Sequence, residues 1–274
     1  MRLRGPINAI LLVAIAALAA LAWFTGGGGE RPPPLTATDP RTVESFTVHY
    51  PRAERAPVVL ERRPGGWWLR RPIERAARDG RVVSALAILA ARSTDCYPRD
   101  AHEPGDFGLA RPRLRLEVGT TTVAFGDRAA DGRRYVAAGE RFCLLADRYY
   151  PLLRRGTDAL AQLSLLAGQR PDRIATPAAE ARRDGEGWRL VRGEGDAAGW
   201  AATWRAGRAE RIALAPPGED LGSVRVATAE GIHEWRIAAR EPAPILVPRT
   251  ADYGLVLARE AAPGLLAPPA AADR

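Results

Sequence analysis

The sequence contains no lysine, three histidines and two cysteines among its 274 residues, so its 40 basic side chains are all arginines. The net charge is +8. Arginine doublets such as Arg62-Arg63 and Arg182-Arg183 are scattered among Asp and Glu, without the run or basic helical face that a phosphate-binding surface requires. We therefore favour solvated surface arginines over an anion-binding face, and we expect no nucleic-acid partner.

Motifs for catalysis are also lacking. No serine lies in a G-x-S-x-G motif, and the glycine run at 26–29 lacks the following Lys-Ser/Thr of a phosphate loop. Four polar residues crowd one segment: Asp100, His102, Glu103 and Asp106. Pro98, Pro104 and Gly105 predict a turn there, which favours a solvated loop over a hydrolase or metal site. We expect no catalytic residue, metal or cofactor, and a chain that is not an enzyme.

The one long apolar run covers residues 7–24, after Arg2 and Arg4. As a helix, its roughly 18 residues span about 27 Å, close to the thickness of a hydrocarbon core. The positive-inside rule places the N-terminus in the cytoplasm. The pattern predicts an anchor over residues 1–25 that crosses the inner membrane once and leaves the bulk of the chain in the periplasm or another extracytoplasmic space.

A cleaved signal peptide is the competing interpretation of this segment. Ala20-Leu21-Ala22 has the small-x-small form that signal peptidase accepts. Trp23 and Phe24 favour a retained helix, because aromatic residues suit the membrane interface. Residues 26–38 then predict a linker, flexible at its glycines and stiffer at its prolines.

The predicted compartment bears on the state of the two cysteines, Cys96 and Cys143. An oxidising environment allows a disulfide between them. The alternative is a pair of buried free thiols.

Residues 39–168 predict a first α+β lobe. A strand and turn lead into Gly66-Trp67-Trp68-Leu69, which completes a hairpin. Asp79 is placed to cap a helix with apolar residues at spacings of three and four, and short antiparallel strands follow as a meander. A second helix is predicted from Thr157 or Asp158 through Leu166.

Residues 169–260 predict a second, related lobe. Residues 182–190 repeat the Arg-Arg, Gly, Trp-x-Leu hairpin about 120 residues after its first occurrence, which indicates internal duplication. Residues 261–274 are rich in Ala and Pro and predict a disordered tail. The fold class is α+β: one N-terminal transmembrane helix, then two lobes of antiparallel sheet, each built as hairpin, helix and meander.

Trp67 and Trp188 follow the glycine turns of the two hairpins. Outside the cytoplasm, an exposed Trp often stacks on a ligand such as a sugar ring. A Leu two positions later shares the same strand face, however, which favours packing against a helix. We expect core packing, with ligand stacking as the alternative.

The order of these parts resembles the family grouped as the domain of unknown function 4340. The resemblance rests on the membrane helix, the hairpin that ends at Pro72, the segment Phe107-Gly108-Leu109-Ala110-Arg111-Pro112, and Arg134-Tyr135-Val136. Some members of that family are similar to auxiliary components of ABC-type transport or gliding systems. The resemblance implies a non-enzymatic binding or assembly component of an envelope complex, with a permease and its ATPase as partners. A periplasmic protein that binds glycan or acts on the cell wall is the alternative.

Overall fold

A computed structural model describes residues 13–18, 20, 31–53 and 55–270. Residues 13–18 and 20 are helical, and the rest of the predicted anchor lies outside the described residues. Among the described residues, no helix has the length and apolar character needed to cross a membrane. The chain is mostly antiparallel sheet, arranged as two sheets with several helices.

The first sheet has nine strands. In chain order they are β1 (Ser45–His49), β2 (Val58–Arg63), β3 (Gly66–Arg71), β4 (Arg75–Ala76), β5 (Cys96–Pro98), β6 (Leu114–Val118), β7 (Thr121–Arg128), β8 (Arg134–Ala138) and β9 (Arg141–Leu145). Their order across the sheet is β4-β3-β2-β1-β6-β7-β8-β9-β5. The short strands β4 and β5 therefore form its edges.

The second sheet has eight strands. In chain order they are β10 (Pro171–Ala175), β11 (Glu180–Asp184), β12 (Gly187–Arg192), β13 (Ala209–Ala213), β14 (Ser223–Thr228), β15 (Gly231–Ala239), β16 (Ile245–Pro248) and β17 (Gly254–Leu257). Their order is β12-β11-β10-β14-β15-β16-β17-β13. When β10 is aligned with β1, every strand of this sheet has a counterpart at the same place in the first sheet, and β4 is the one extra strand.

Helices pack on the inner faces of both sheets. They are α1 (Asp79–Leu86), α2 (Tyr149–Arg155), α3 (Thr157–Leu160), α4 (Ala197–Ala206) and α5 (Ala262–Leu266). The inner faces and these helices share one hydrophobic cluster, which runs through both lobes. The lobes are therefore joined by a continuous core.

The first hairpin and α1 are tied together by Asp79. The sequence predicted that its side chain caps the helix, and this was wrong. The side chain instead accepts a hydrogen bond from the Trp67 backbone N–H at 2.9 Å. A Cβ on Gly66 would lie 2.9 Å from an Asp79 carboxylate oxygen, and Gly66 has a φ of +136°. The Gly-Trp pair is thus fixed by the approach of this helix. In the second lobe, Asp196 does cap α4, through the Ala198 N–H at 3.0 Å.

The second predicted helix begins at Thr157 as expected but was wrong in its extent. Helical structure covers α2 and the four residues of α3; residues 161–164 are non-helical and carry two isolated β-bridges, and residues 165 and 166 form a bend. Ala161 bridges to Ala77 of the first lobe, and Ser164 bridges to Arg208 of the second. The leucines that suggested a helix are buried in this junction between the lobes.

The predicted linker and tail also need correction. Residues 31–38 of the linker pack against the first lobe: Leu35 is 4% exposed and its N–H donates to the Ala91 carbonyl at 2.7 Å. Residues 262–266 of the predicted disordered tail form α5, in which Leu265 is 1% exposed. Both segments are ordered because they carry an apolar side chain that completes the core. Residues 26–30 and 271–274 lie outside the described residues.

Candidate functional site

Trp67 and Trp188 occupy equivalent hairpin positions but different surroundings. Trp67 is 5% exposed and packs edge-to-face on Phe46, with 5.5 Å between ring centroids. Trp188 is half-buried at the border of the core. Trp67 is therefore a core residue, whereas part of the Trp188 ring is open to a ligand.

Cys96 and Cys143 lie directly opposite each other on β5 and β9 and form a disulfide in the structure. Their Cα atoms are 4.1 Å apart, as in the non-hydrogen-bonded pairs of an antiparallel ladder. The bond fastens a three-residue edge strand to its neighbour. The edge of the first sheet is thereby held covalently.

The polar segment around His102 is exposed at Asp100, His102, Glu103 and Asp106. The His102 ring packs among aromatic side chains rather than beside carboxylates, with centroids 5.8 Å from Phe107 and 5.6 Å from Phe142. Within the described part of the chain, no group of three His, Cys, Asp or Glu residues is placed to hold a metal ion. This segment covers the outer face of the first sheet.

The three histidines lie at separate places. His49 Nε2 is 2.9 Å from Glu117 Oε2. His233 stacks on Trp235 and lies 2.8 Å from Gln169 Oε1, and burial lowers the pKa of its imidazole. No pair of histidines is brought together for acid–base chemistry, and each has a local packing partner.

Residues 33–38, here called the N-terminal strap, cross one end of the first sheet. The Thr36 N–H donates to the Leu89 carbonyl at 3.0 Å, and the Thr38 and Thr121 hydroxyls are 2.7 Å apart. The Arg141 guanidinium donates to the Pro34 carbonyl. Contacts on both sides therefore hold the strap at a fixed distance from the sheet.

A groove of about 920 Å³ lies between this strap and the sheet. Its walls are the strap, edge strand β5, the turn between β6 and β7, and the turn between β8 and β9. Tyr97, which is 40% exposed, lies in one wall, and Ala37 is an exposed residue of the other. The volume is at the upper end of small-ligand sites, and the lining is mostly Pro, Thr, Ala and Tyr.

The backbone of β5 gives the groove its recognition chemistry. Its only strand partner among the described residues is β9. The Arg99 N–H and the Leu144 N–H bond across the β5–β9 pair, so the polar groups of Cys96 point away from β9. An edge of this kind pairs with an extended segment of another chain.

A smaller cleft of about 320 Å³ contains Trp188. Arg183 and Glu186 of the second hairpin and Arg205 of α4 also line it. An aromatic face beside charged hydrogen-bonding groups is the combination that binds sugar rings.

Sequence reasoning missed the groove. The proline and threonine residues of the strap were interpreted as a linker, and β5 is too short to give an alternating pattern. The usable signal was the cysteine pair, which places β5 beside β9 once the disulfide is assumed.

Comparisons with protein-family models, with curated proteins and with solved structures find no match to this chain. The family resemblance therefore rests on the quoted motif residues alone.

Proposed function

We propose that this chain is a membrane-tethered, extracytoplasmic binding or assembly component of an envelope complex, with no catalytic activity of its own. The favoured partner is an ABC-type transporter made of a permease and an ATPase. The observation that carries the proposal is the groove between the N-terminal strap and β5. It combines a strand edge that has no second partner within the described residues with a largely apolar lining.

The groove favours an extended protein segment over a compact small molecule. A strand added beside β5 would bond to its outward backbone groups, and alternate side chains would enter the apolar lining. The disulfide keeps β5 in place when the new strand pulls on it. The strap also continues from the apolar N-terminal segment, so the groove would lie on the part of the lobe nearest the proposed tether.

The two lobes are proposed to be related by duplication. The repeated hairpin sequence and the shared strand order support this relation. The strand order that the two sheets share would then be inherited from one ancestral unit. The groove belongs to the first lobe: Ser164 bridges Arg208 in the second lobe as Pro34 bridges Arg92 in the first, but the second lobe has no cysteine that could hold its edge strand by a disulfide.

Membership of the family grouped as the domain of unknown function 4340 stays a proposal as well. The motif residues that suggest this membership make packing and ion-pair contacts in this fold. Leu109 is buried under the aromatic cover of the first sheet, and a Cβ on Gly108 would lie 2.5 Å from an Asp127 oxygen. Arg134 forms an ion pair with Asp147 at 2.7 Å. These are packing roles, which fits a family without a catalytic motif.

Site-specific photo-crosslinking tests the groove directly. The full chain, expressed in its own membrane, would carry p-benzoylphenylalanine in place of Ala37 in the groove. The matched control carries it in place of Ala130, an exposed residue of the β7–β8 loop. We expect an adduct with a permease or ATPase subunit from the Ala37 position and none from Ala130.

Co-purification gives an independent measurement. Ala37→Trp fills the groove without touching the core, and Ala130→Trp adds the same side chain elsewhere. We expect a transporter subunit to accompany the native chain and the Ala130→Trp chain from detergent, and to be lost with Ala37→Trp. If no transporter subunit accompanies any of them, the proposal is contradicted.

Glycan binding is the second candidate, and the Trp188 cleft favours it. Peptidoglycan pull-down with Trp188→Ala and Trp67→Ala separates the two functions. Glycan recognition would be supported if Trp188→Ala abolishes the pull-down while the variant still unfolds cooperatively at the same temperature as the native chain. Trp67→Ala is expected to destabilise the fold by about 3–5 kcal/mol, because it empties a buried site.

A further inference from the structure

The outer face of the second sheet carries a row of three exposed arginines on adjacent strands. Arg173 lies directly opposite Arg182, and Arg182 lies directly opposite Arg189. Glu180 pairs with Arg173 at 2.6 Å, and Asp184 lies 3.4 Å from Arg189. Within the described residues, no carboxylate comes within 4.0 Å of Arg182. Like charges directly opposite each other destabilise a sheet, and Glu180 and Asp184 offset the charge of only the two outer arginines of the row.

The first sheet shows that the fold does not require the row. The residues at the equivalent register positions there are Ser45, Glu61 and Trp68. The outer face of the first sheet is also partly covered, by the aromatic segment around Phe107. The second sheet leaves its outer face open and has arginine at all three of these positions, whereas Arg63 and Arg70 on the same face of the first sheet flank a carboxylate, Glu61.

The row continues into an apolar part of the same face. Ala227 lies opposite Arg173, and Ile232, which is 68% exposed, lies opposite Ala227. A depression of about 410 Å³ lies here, lined by Arg173, Arg225, Glu180 and Ile232 around the small side chains of Ala175 and Ala227.

A second depression of about 420 Å³ is lined by the three arginines of the row, by Glu180 and by Val191, which is 54% exposed. The face thus combines cations with protruding apolar side chains.

We propose that this arginine face binds the surface of a bilayer that contains anionic phospholipids. The guanidinium groups bind headgroup phosphates, for which their planar donor pairs are suited. Ile232 and Val191 enter the interfacial layer beside them. The proposal rests on the proposed membrane tether only for the presence of a bilayer near this lobe.

The geometry favours a membrane over other anions. A single phosphate needs donors that converge in a concave site, whereas these guanidinium groups stand side by side on a sheet face. Single-stranded nucleic acid needs aromatic stacking platforms, and neither depression is lined by an aromatic residue. An acidic protein surface would match the charge but gives no role to Ile232.

Native mass spectrometry of the full chain from neutral detergent micelles tests the proposal. Phosphatidylglycerol and phosphatidylcholine are added separately, and the lipid adducts are counted. The test variant is Arg182→Gln with Arg189→Gln. The control is Arg81→Gln with Arg155→Gln, which removes two exposed arginines, one in α1 and one in α2.

We expect phosphatidylglycerol affinity to fall about 25-fold in the test variant, since each basic side chain near an anionic surface contributes about fivefold. The control should bind as the native chain does, and inorganic phosphate at matched ionic strength should not compete. Equal weakening in both variants, no change in the test variant, or equal binding of phosphatidylcholine would overturn the proposal. Binding of polyglutamate in place of lipid would also overturn it.

Failure here is distinguishable from failure of the proposed function. The arginine face lies on the second lobe, and the groove lies on the first. Crosslinking from Ala37 should therefore be unchanged in the Arg182→Gln, Arg189→Gln chain.

Discussion

Arg134 is a charged residue that is buried in the first lobe. Its guanidinium bonds to Asp147 at 2.7 and 3.0 Å and to the Gly126 carbonyl at 2.7 Å, and it stacks 3.7 Å from the centroid of the Tyr150 ring. Its side chain is 7% exposed. Removing one partner of such a pair leaves the other buried without compensation, which is more costly than losing a surface ion pair.

Arg134→Leu should therefore lower the free energy of unfolding by about 3–5 kcal/mol in urea titration. Arg128→Gln is the matched control, because Arg128 lies 3.9 Å from the same Asp147 carboxylate but is 66% exposed. It should cost less than about 1 kcal/mol. Equal small losses for both variants would show that the buried pair does not stabilise this lobe.

Tyr50 gives the chain a predicted sensitivity to alkali. Burial raises the pKa of its phenol to about 12, with the Arg55 guanidinium acting in the opposite direction. An unfolded tyrosine titrates near pH 10. Between about pH 10 and 12 the unfolded chain loses this proton while the folded chain keeps it, so stability is complete below pH 10 and falls as the pH rises.

The measurement compares the native chain with Tyr50→Phe. At pH 9 the variant should be less stable by about 1 kcal/mol, because it lacks the hydrogen bond from the phenol to the Leu153 carbonyl at 3.0 Å. By pH 11.5 the native chain should lose about 2 kcal/mol relative to the variant. A difference that stays constant with pH would contradict the assignment.

The sequence pattern did not predict that the two hairpin tryptophans differ in burial. Both follow a glycine and precede a Leu, and both were expected in the core. Trp67 is buried because Asp79 draws α1 onto the hairpin, whereas Asp196 is used as a cap and leaves Trp188 half-buried. The difference depends on a contact twelve residues away, which no local pattern contains.

At the scale of elements, α5 is the part that the sequence concealed most. The indole N–H groups of Trp200 and Trp204 both donate to the Leu265 carbonyl, at 3.1 and 2.9 Å. The Asp196 N–H bonds to the Pro269 carbonyl at 2.8 Å. The C-terminal segment is short and rich in Ala and Pro, so its order comes from these contacts and not from helix propensity.

Truncation after Arg259 should therefore destabilise the second lobe by several kcal/mol, because it exposes two buried indoles and removes Leu265 from the core. Intrinsic tryptophan fluorescence should shift to the red in the absence of denaturant. Truncation after Ala270 keeps α5 and should leave both quantities unchanged. A chain that loses α5 without a fluorescence shift would show that the helix does not cover these tryptophans.

The strands were predicted better than the helices. Alternating apolar residues placed the hairpins and the meander strands of both lobes, because those strands have one buried and one solvated face. The second predicted helix ended early because Leu163, Leu165 and Leu166 are buried between the two lobes in a non-helical segment. The spacing of apolar residues cannot distinguish a helix from a buried non-helical segment when both faces of the segment are covered.

At the scale of the whole molecule, a repeated nine-residue hairpin was enough to suggest two lobes, but not their shared strand order or their common core. The candidate groove was beyond prediction because its walls come from distant segments, the strap at 33–38 and β5 at 96–98. Long-range pairing of this kind leaves no local signature in one sequence.

The proposed role also depends on the compartment, and the chain is well suited to report it because it has only two cysteines. Intact cells that produce the native chain from its own gene are quenched with acid, and the denatured protein is treated with a polyethylene-glycol maleimide. We predict no mass shift unless the sample is first reduced, and then two adducts per chain, because the Cys96–Cys143 bond forms outside the cytoplasm. Two adducts without reduction would place the folded domain in a reducing compartment and contradict the envelope role.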